Sequence, residues 1–132
     1  MTRIPEKDRD IIEQAMYLPM LLTILERDLI VIDKAGFKLK EPYLQLIEET
    51  IKAVQKDLKE AKQAMRKGQM KVEQVARDEA FTMFLFIYKG FEEQHNYFNP
   101  RIRNKVQELL EYYLYKRFKK MMKTVTEDVK KN

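Results

Sequence analysis

The sequence lacks cysteine, serine and tryptophan altogether, and it contains one histidine, His95. Without cysteine, disulfides and thiolate metal sites are excluded, and the composition favours a reducing compartment. Without serine or cysteine, the Ser-His-Asp and Cys-His nucleophile systems are also excluded. These absences predict a protein that is not an enzyme and has no catalytic residues.

Glycine and proline are scarce, at three and four among 132 residues. Because the three glycines are isolated from one another, a glycine-rich loop that cradles phosphates is excluded. The few turn-forming residues also imply long elements between the turns. No apolar run approaches the roughly 20 residues that span a bilayer, and the first residues are charged. We therefore expect a cytoplasmic protein without a membrane span.

Glu92 and His95 form one Glu-x-x-His pair, the (i, i+3) pattern that di-iron carboxylate bundles place on a helix. Such a site needs this pair twice, together with a carboxylate from each of two further helices. A single histidine cannot supply the second pair. The sequence therefore predicts no metal site and no other cofactor.

Apolar residues recur at alternating intervals of three and four, which predicts amphipathic helices along most of the chain. Pro42 and the pair Asn99–Pro100 are helix start signals, and Gly68 is a stop signal. Pro19 lies inside the first pattern, where it predicts a kink or, alternatively, a break near Tyr17. Helices are predicted at about 5–35, 42–67, 69–93 and 100–128, with a frayed tail at 129–132.

The segment 69–93 has apolar residues almost all the way round the predicted helix. At 100° per residue one side carries Val72, Ala76, Ala80, Met83, Phe84, Ile87 and Phe91. A further set extends the apolar arc: Phe81, Leu85, Phe86 and Tyr88. A helix of this kind needs cover from its own domain or from a second subunit. We therefore predict that this last set forms a partner face, most simply in a homodimer.

Together these patterns predict an all-α fold, a single-domain antiparallel bundle of about four long helices. The composition, biased toward Lys, Glu, Ile and Met, is loosely similar to that of small helical proteins from low-GC bacteria and their phages. This similarity implies no site.

The net charge of +5 is concentrated near the C-terminus, where residues 100–132 carry ten Lys and Arg against four Asp and Glu. The predicted basic surface consists of Arg101, Arg103, Lys105, Lys116, Arg117, Lys119, Lys120 and Lys123. Basic residues interleaved with tyrosines can bind a nucleic-acid backbone and stack on bases. They can equally meet an acidic protein or an anionic membrane surface, or simply favour the negative end of a helix.

The sequence thus predicts a non-catalytic helical interaction protein: an adaptor, inhibitor or small regulator that acts as a homodimer. The alternative is a nucleic-acid-binding regulator that uses the basic C-terminal helix. No small-molecule substrate is evident from the residues.

Overall fold

Three long helices pack against one three-stranded antiparallel sheet. The computed structural model describes the backbone of residues 2–131 and the side chains of residues 2–116, 119, 122 and 123. In chain order the elements are α1 (Glu6–Lys34), α2 (Glu41–Lys67), β1 (Met70–Arg77), β2 (Phe81–Tyr88), β3 (Phe91–Phe98) and α3 (Asn99–Lys131). The predicted all-α bundle is therefore wrong: the fold is α+β, and the predicted third helix is a sheet.

The first two helices form a hairpin around which the core is built. Their connection at residues 35–40 is short, and the two helices pack along their lengths. The buried side of α2 repeats every three or four residues, as the sequence predicted: Leu44, Ile47, Val54, Leu58, Ala61 and Met65. Thr50 is also buried on this side, and its hydroxyl donates to the carbonyl oxygen of Leu46 at 2.7 Å. No polar group of that side chain is left unpaired.

Helix α1 runs without interruption from Glu6 to Lys34 with Pro19 inside it. The alternative of a break near Tyr17 is therefore wrong, while the kink at Pro19 stays a prediction. Helix α3 continues to Lys131, beyond the predicted end at 128, and Asn132 lies outside the described residues.

The strands form a meander in the order β1-β2-β3, with both pairs antiparallel. Lys89 and Gly90 make the tight turn between β2 and β3, with φ values of 48° and 90°. Two successive residues in the left-handed region are typical of the two-residue hairpin turn that matches strand twist. In the other connection, Asp78 Oδ1 accepts hydrogen bonds from the backbone N–H groups of Ala80 and Phe81, at 2.8 and 2.7 Å. These bonds lower the pKa of Asp78.

Strand β2 buries every second residue against the helices. Thr82, Phe84, Phe86 and Tyr88 are buried, and the residues between them are half-buried or exposed. The three aromatic residues belong to the same core cluster as Ile12 and Leu21 of α1. Because β2 is apolar on both faces apart from Thr82, its sequence has no alternating polar positions to reveal the period of two. A continuous apolar run of this length cannot be assigned to strand or helix by periodicity alone.

Candidate functional site: the open face of the sheet

The side of the sheet away from the helices carries a stripe of apolar side chains, which we call the open face: Phe81, Met83, Leu85 and Ile87 of β2 with Phe98 of β3. Phe81 is 41% exposed and Phe98 is 50% exposed, and their ring centroids are 5.5 Å apart. The other three are half-buried, and none of the five belongs to the hydrophobic core cluster. Within the described part of the chain, the open face is an apolar surface without a helix packed on it.

Polar side chains flank this stripe in rows that follow from the strand register. Lys71 of β1 pairs with Ile87, and Ile87 pairs with Glu92 of β3. Each row therefore crosses the sheet from β1 through the apolar centre to β3. The first row has a cation at one end and a carboxylate at the other. The next row consists of Glu73, Leu85 and Gln94.

The partner face predicted from the sequence is divided between the two sides of the sheet. Phe81 and Leu85 lie on the open face. Phe86 is completely buried and Tyr88 is 6% exposed, and both face the helices. Their assignment to a partner surface is corrected, because successive side chains of a strand point to opposite faces. The partner face predicted from the sequence does not include Met83, Ile87 and Phe98. The turn residues Lys89–Gly90 are the signal in the sequence that identifies β2 as a strand.

The interior side of β3 attaches the N-terminal residues to the sheet through Glu93. Its carboxylate accepts hydrogen bonds from the backbone N–H of Arg3 at 2.9 Å and from the hydroxyl of Thr2 at 2.7 Å, and His95 Nε2 lies 2.9 Å from it. The bond from Arg3 is the largest of the causes that lower the pKa of Glu93 from 4.5 to about 2. Glu92 and His95, the Glu-x-x-His pair, point to opposite faces of β3 because they are three residues apart in a strand.

Replacing Glu93 with glutamine tests this attachment. A carboxyl group with a lowered pKa stabilises the folded state above its unfolded pKa, and that stability is lost as the pH falls through the folded pKa. We therefore expect Glu93→Gln to lower the free energy of unfolding by about 1–2 kcal/mol at neutral pH. The difference in free energy of unfolding between the variant and the unmodified protein should become smaller as the pH is lowered from about 4.5 to about 2. Urea unfolding at a series of pH values measures both quantities.

Glu48→Gln, an exposed change on α2, is the matched control. Its free energy of unfolding should differ little from that of the unmodified protein at every pH. A Glu93→Gln difference that stays constant down to pH 2 would show that this carboxylate does not hold the N-terminal residues.

The predicted basic surface is only partly a single surface. At 100° per residue Arg101, Lys105, Lys116, Lys119 and Lys123 share one side of α3, and Arg103 lies on the opposite side. Two of these lysines pack over tyrosines one turn earlier: Lys116 Nζ lies 5.7 Å from the Tyr112 ring centroid, and Lys119 Nζ lies 4.8 Å from that of Tyr115. The side chains of Arg117 and Lys120 lie outside the described residues.

A polar cleft of about 580 Å³ lies between the three helices, bordered by Arg101 and Lys105 on α3. The Tyr113 hydroxyl donates to Asp57 Oδ2 at 2.6 Å, and the Tyr97 hydroxyl donates to Glu13 Oε2 at 3.2 Å. Burial is the main cause that raises the pKa of both tyrosines, and the carboxylates raise it further. The two hydrogen bonds join α3 to α2 and β3 to α1.

The described residues contain no helix that is both long enough and apolar enough to cross a membrane. The fold and its open face define a class: a small α+β protein in which a helical hairpin and a long C-terminal helix cover one side of a three-stranded meander.

The chain belongs to the YhjD protein family, whose model matches residues 3–118. It is 50% identical over 115 residues to the Bacillus subtilis (strain 168) protein described as "Uncharacterized protein YhjD", and the alignment covers 87% of this chain and 96% of that relative. No solved structure matches the chain. The matched residues include the whole sheet and end before Lys119 and Lys123.

Proposed function

We propose that this protein is a non-catalytic interaction protein, an adaptor, inhibitor or small regulator, that associates with a second copy of itself through the open face. One observation carries the proposal: the apolar stripe along β2 is left uncovered by the described helices. Contiguous exposed apolar surface of this kind typically marks an interaction site. As expected from the sequence, we also propose that the protein is cytoplasmic and has no enzymatic activity.

The charges at the ends of the first row favour a second copy as the occupant. Two sheets packed face to face lie about 10 Å apart with nearly aligned strands. A two-fold axis along β2 would place each β1 opposite β3 of the second copy. Lys71 of one copy would then lie over Glu92 of the other, and the two-fold symmetry repeats this contact. The stripe of β2 would meet itself.

Pairing through the sheet edges is a poorer explanation of the same surface. The exposed edge strand β1 has a bulge between Gln74 and Ala76, and Lys71 and Glu73 stand near its start. Bulges and charged residues are the features by which edge strands avoid pairing with other chains. The apolar surface lies on the face of the sheet rather than along this edge.

The size of the face predicts a weak dimer. Three strands of eight residues cover roughly 14 by 27 Å, from the usual strand spacing and rise per residue. This flat area is on the order of 400 Å² per copy, below the roughly 800 Å² per partner of a standard specific interface. We therefore expect a dissociation constant of about a micromolar or more. The proportions of monomer and dimer should then change with protein concentration.

Analytical ultracentrifugation over a range of concentrations tests the dimer. The full chain should shift from 16.0 kDa toward twice that mass as its concentration rises. Leu85→Lys should remain monomeric throughout, because two lysine side chains would meet at the axis. Leu85 is half-buried and outside the core, so the variant should keep its helical circular dichroism.

Ile30→Lys is the matched control, because Ile30 is 56% exposed and belongs to α1 rather than to the open face. It should dimerise like the unmodified protein. A protein that stays at 16.0 kDa at every concentration would overturn self-association, and so would a Leu85→Lys variant that dimerises normally.

The nucleic-acid alternative stays a prediction. Its cations share one side of α3 only in part, and two of the lysines pack on tyrosines of their own helix. No observation favours it over the open face.

A further inference from the structure

A second cleft lies on the helix side of the sheet, between α1, α3 and the far end of β1, with a volume of about 600 Å³. Its apolar wall comes from α1 and α3: Met20, Ile24, Ile102, Val106 and Leu110. Ligand pockets commonly have volumes of about 300–1,000 Å³ and are mainly apolar with a few polar groups. This cleft fits that description and shares no residue with the open face.

The polar residues of this cleft are all cationic or neutral. Arg77 of β1 and Arg103 of α3 border it, and its lining includes no aspartate or glutamate. Among the described residues, neither guanidinium forms a hydrogen bond or an ion pair. The polar cleft beside Arg101 differs in this respect, because carboxylates of α1 and α2 balance its cations.

Asn99 holds the two arginine-bearing elements together. Its side-chain oxygen accepts from the Thr82 hydroxyl at 2.6 Å, and its side-chain nitrogen donates to the carbonyl oxygen of Asp78 at 2.9 Å. Thr82 pairs with Arg77 across the strands, and Arg103 follows Asn99 by one helical turn. The same hydrogen bonds therefore hold the start of α3, which carries Arg103, against the sheet beside Arg77.

We propose that this cleft binds a small amphiphile with an anionic head group, in which Arg77 and Arg103 receive the head group and the apolar wall receives the chain. Guanidinium groups form paired, charge-assisted hydrogen bonds with carboxylates and phosphates. A neutral apolar molecule would leave both cations without an ionic partner. A purely polar anion would leave the apolar wall unfilled. An amphiphile satisfies both parts.

Displacement of the fluorescent anion anilinonaphthalene sulfonate from the full-length protein tests the proposal. Dodecanoate, kept below its micelle concentration, should displace the dye, and the uncharged dodecanol should not. The double change Arg77→Gln and Arg103→Gln should weaken dodecanoate binding about tenfold or more. In amide NMR spectra recorded during the dodecanoate titration, the chemical-shift changes should occur at Thr23 and along residues 102–110.

Two further variants separate this site from other surfaces. Arg66→Gln, an exposed change at the end of α2, should bind dodecanoate like the unmodified protein. Leu85→Lys should also bind it normally, so failure of the dimer and failure of the cleft are distinguishable. Equal displacement by dodecanol, or unchanged binding in the double arginine variant, would overturn the proposal. Retention on anionic phospholipid vesicles without binding of free dodecanoate would overturn it as well.

Discussion

Phe86→Ala should lower the free energy of unfolding by about 3–5 kcal/mol, the usual cost of truncating a buried phenylalanine. Phe86 has no exposed surface, and it lies in the central strand with its ring 4.2 Å from His95 and 6.4 Å from Tyr97 between centroids. Removing the ring leaves a cavity where the sheet meets the helices. A domain of this size is stable by about 5–15 kcal/mol, so the variant should be only marginally folded.

Chemical denaturation followed by circular dichroism measures this loss. Phe37→Ala is the matched control, because Phe37 is 50% exposed in the connection between α1 and α2. Its ring contact with Tyr43, 5.2 Å between centroids, predicts a cost of about 1 kcal/mol. Similar losses in the two variants would contradict the position of Phe86 in the core.

Asn99→Ala should lower the free energy of unfolding by about 2–3 kcal/mol, although it changes a small polar side chain. The substitution removes the hydrogen bonds that Asn99 makes to Thr82, Asp78 and Glu79. Thr82 is 4% exposed, so its hydroxyl would be left without its partner in a buried position. The cost of an unpaired buried group adds to that of the lost bonds.

Asn104→Ala is the control for this prediction, since Asn104 is exposed on the same helix five residues further on. It should change stability by no more than about 0.5 kcal/mol, as surface substitutions usually do. Urea unfolding of the two variants side by side gives the comparison. If Asn99→Ala lowers the free energy of unfolding no more than its control does, the connection between the sheet and α3 does not depend on the Asn99 side chain.

The sheet separates the two proposed sites. The open face lies on one side, where Leu85 and Ile87 project away from the helices. The amphiphile cleft lies on the other side, with Arg77 and Arg103 at its border. The proposed dimer therefore leaves the proposed cleft uncovered, and each site can be altered without the other.

The three helices could be predicted from the sequence because each has a helical period, and α2 and α3 also have boundary signals. Pro42 lies in the first turn of α2, and its last residue is followed by Gly68. Asn99 and Pro100 begin α3. A repeat of three and four residues over several turns buries one stripe whatever lies opposite it. The exclusion of thiol and serine chemistry also follows from composition alone.

The segment 69–98 could not be assigned in the same way. Val72, Ala76, Met83, Ile87 and Phe91 fit a helical period by their spacing, although they belong to three strands. In β2 both faces are apolar, so the alternation that identifies a strand is absent from its sequence. For this reason the partner face predicted from the sequence includes two residues of the core, Phe86 and Tyr88.

By itself, therefore, the sequence determined the presence and approximate position of the three helices, the types of catalysis that are excluded and the basic character of the last helix. Only the tertiary structure decided that 69–98 is a sheet, which of its apolar residues are buried and that Arg77 and Arg103 border one cleft. The physical reason lies in the range of the contacts. Helical hydrogen bonds join residues four apart, whereas strands gain their hydrogen bonds and buried area from segments distant in the chain.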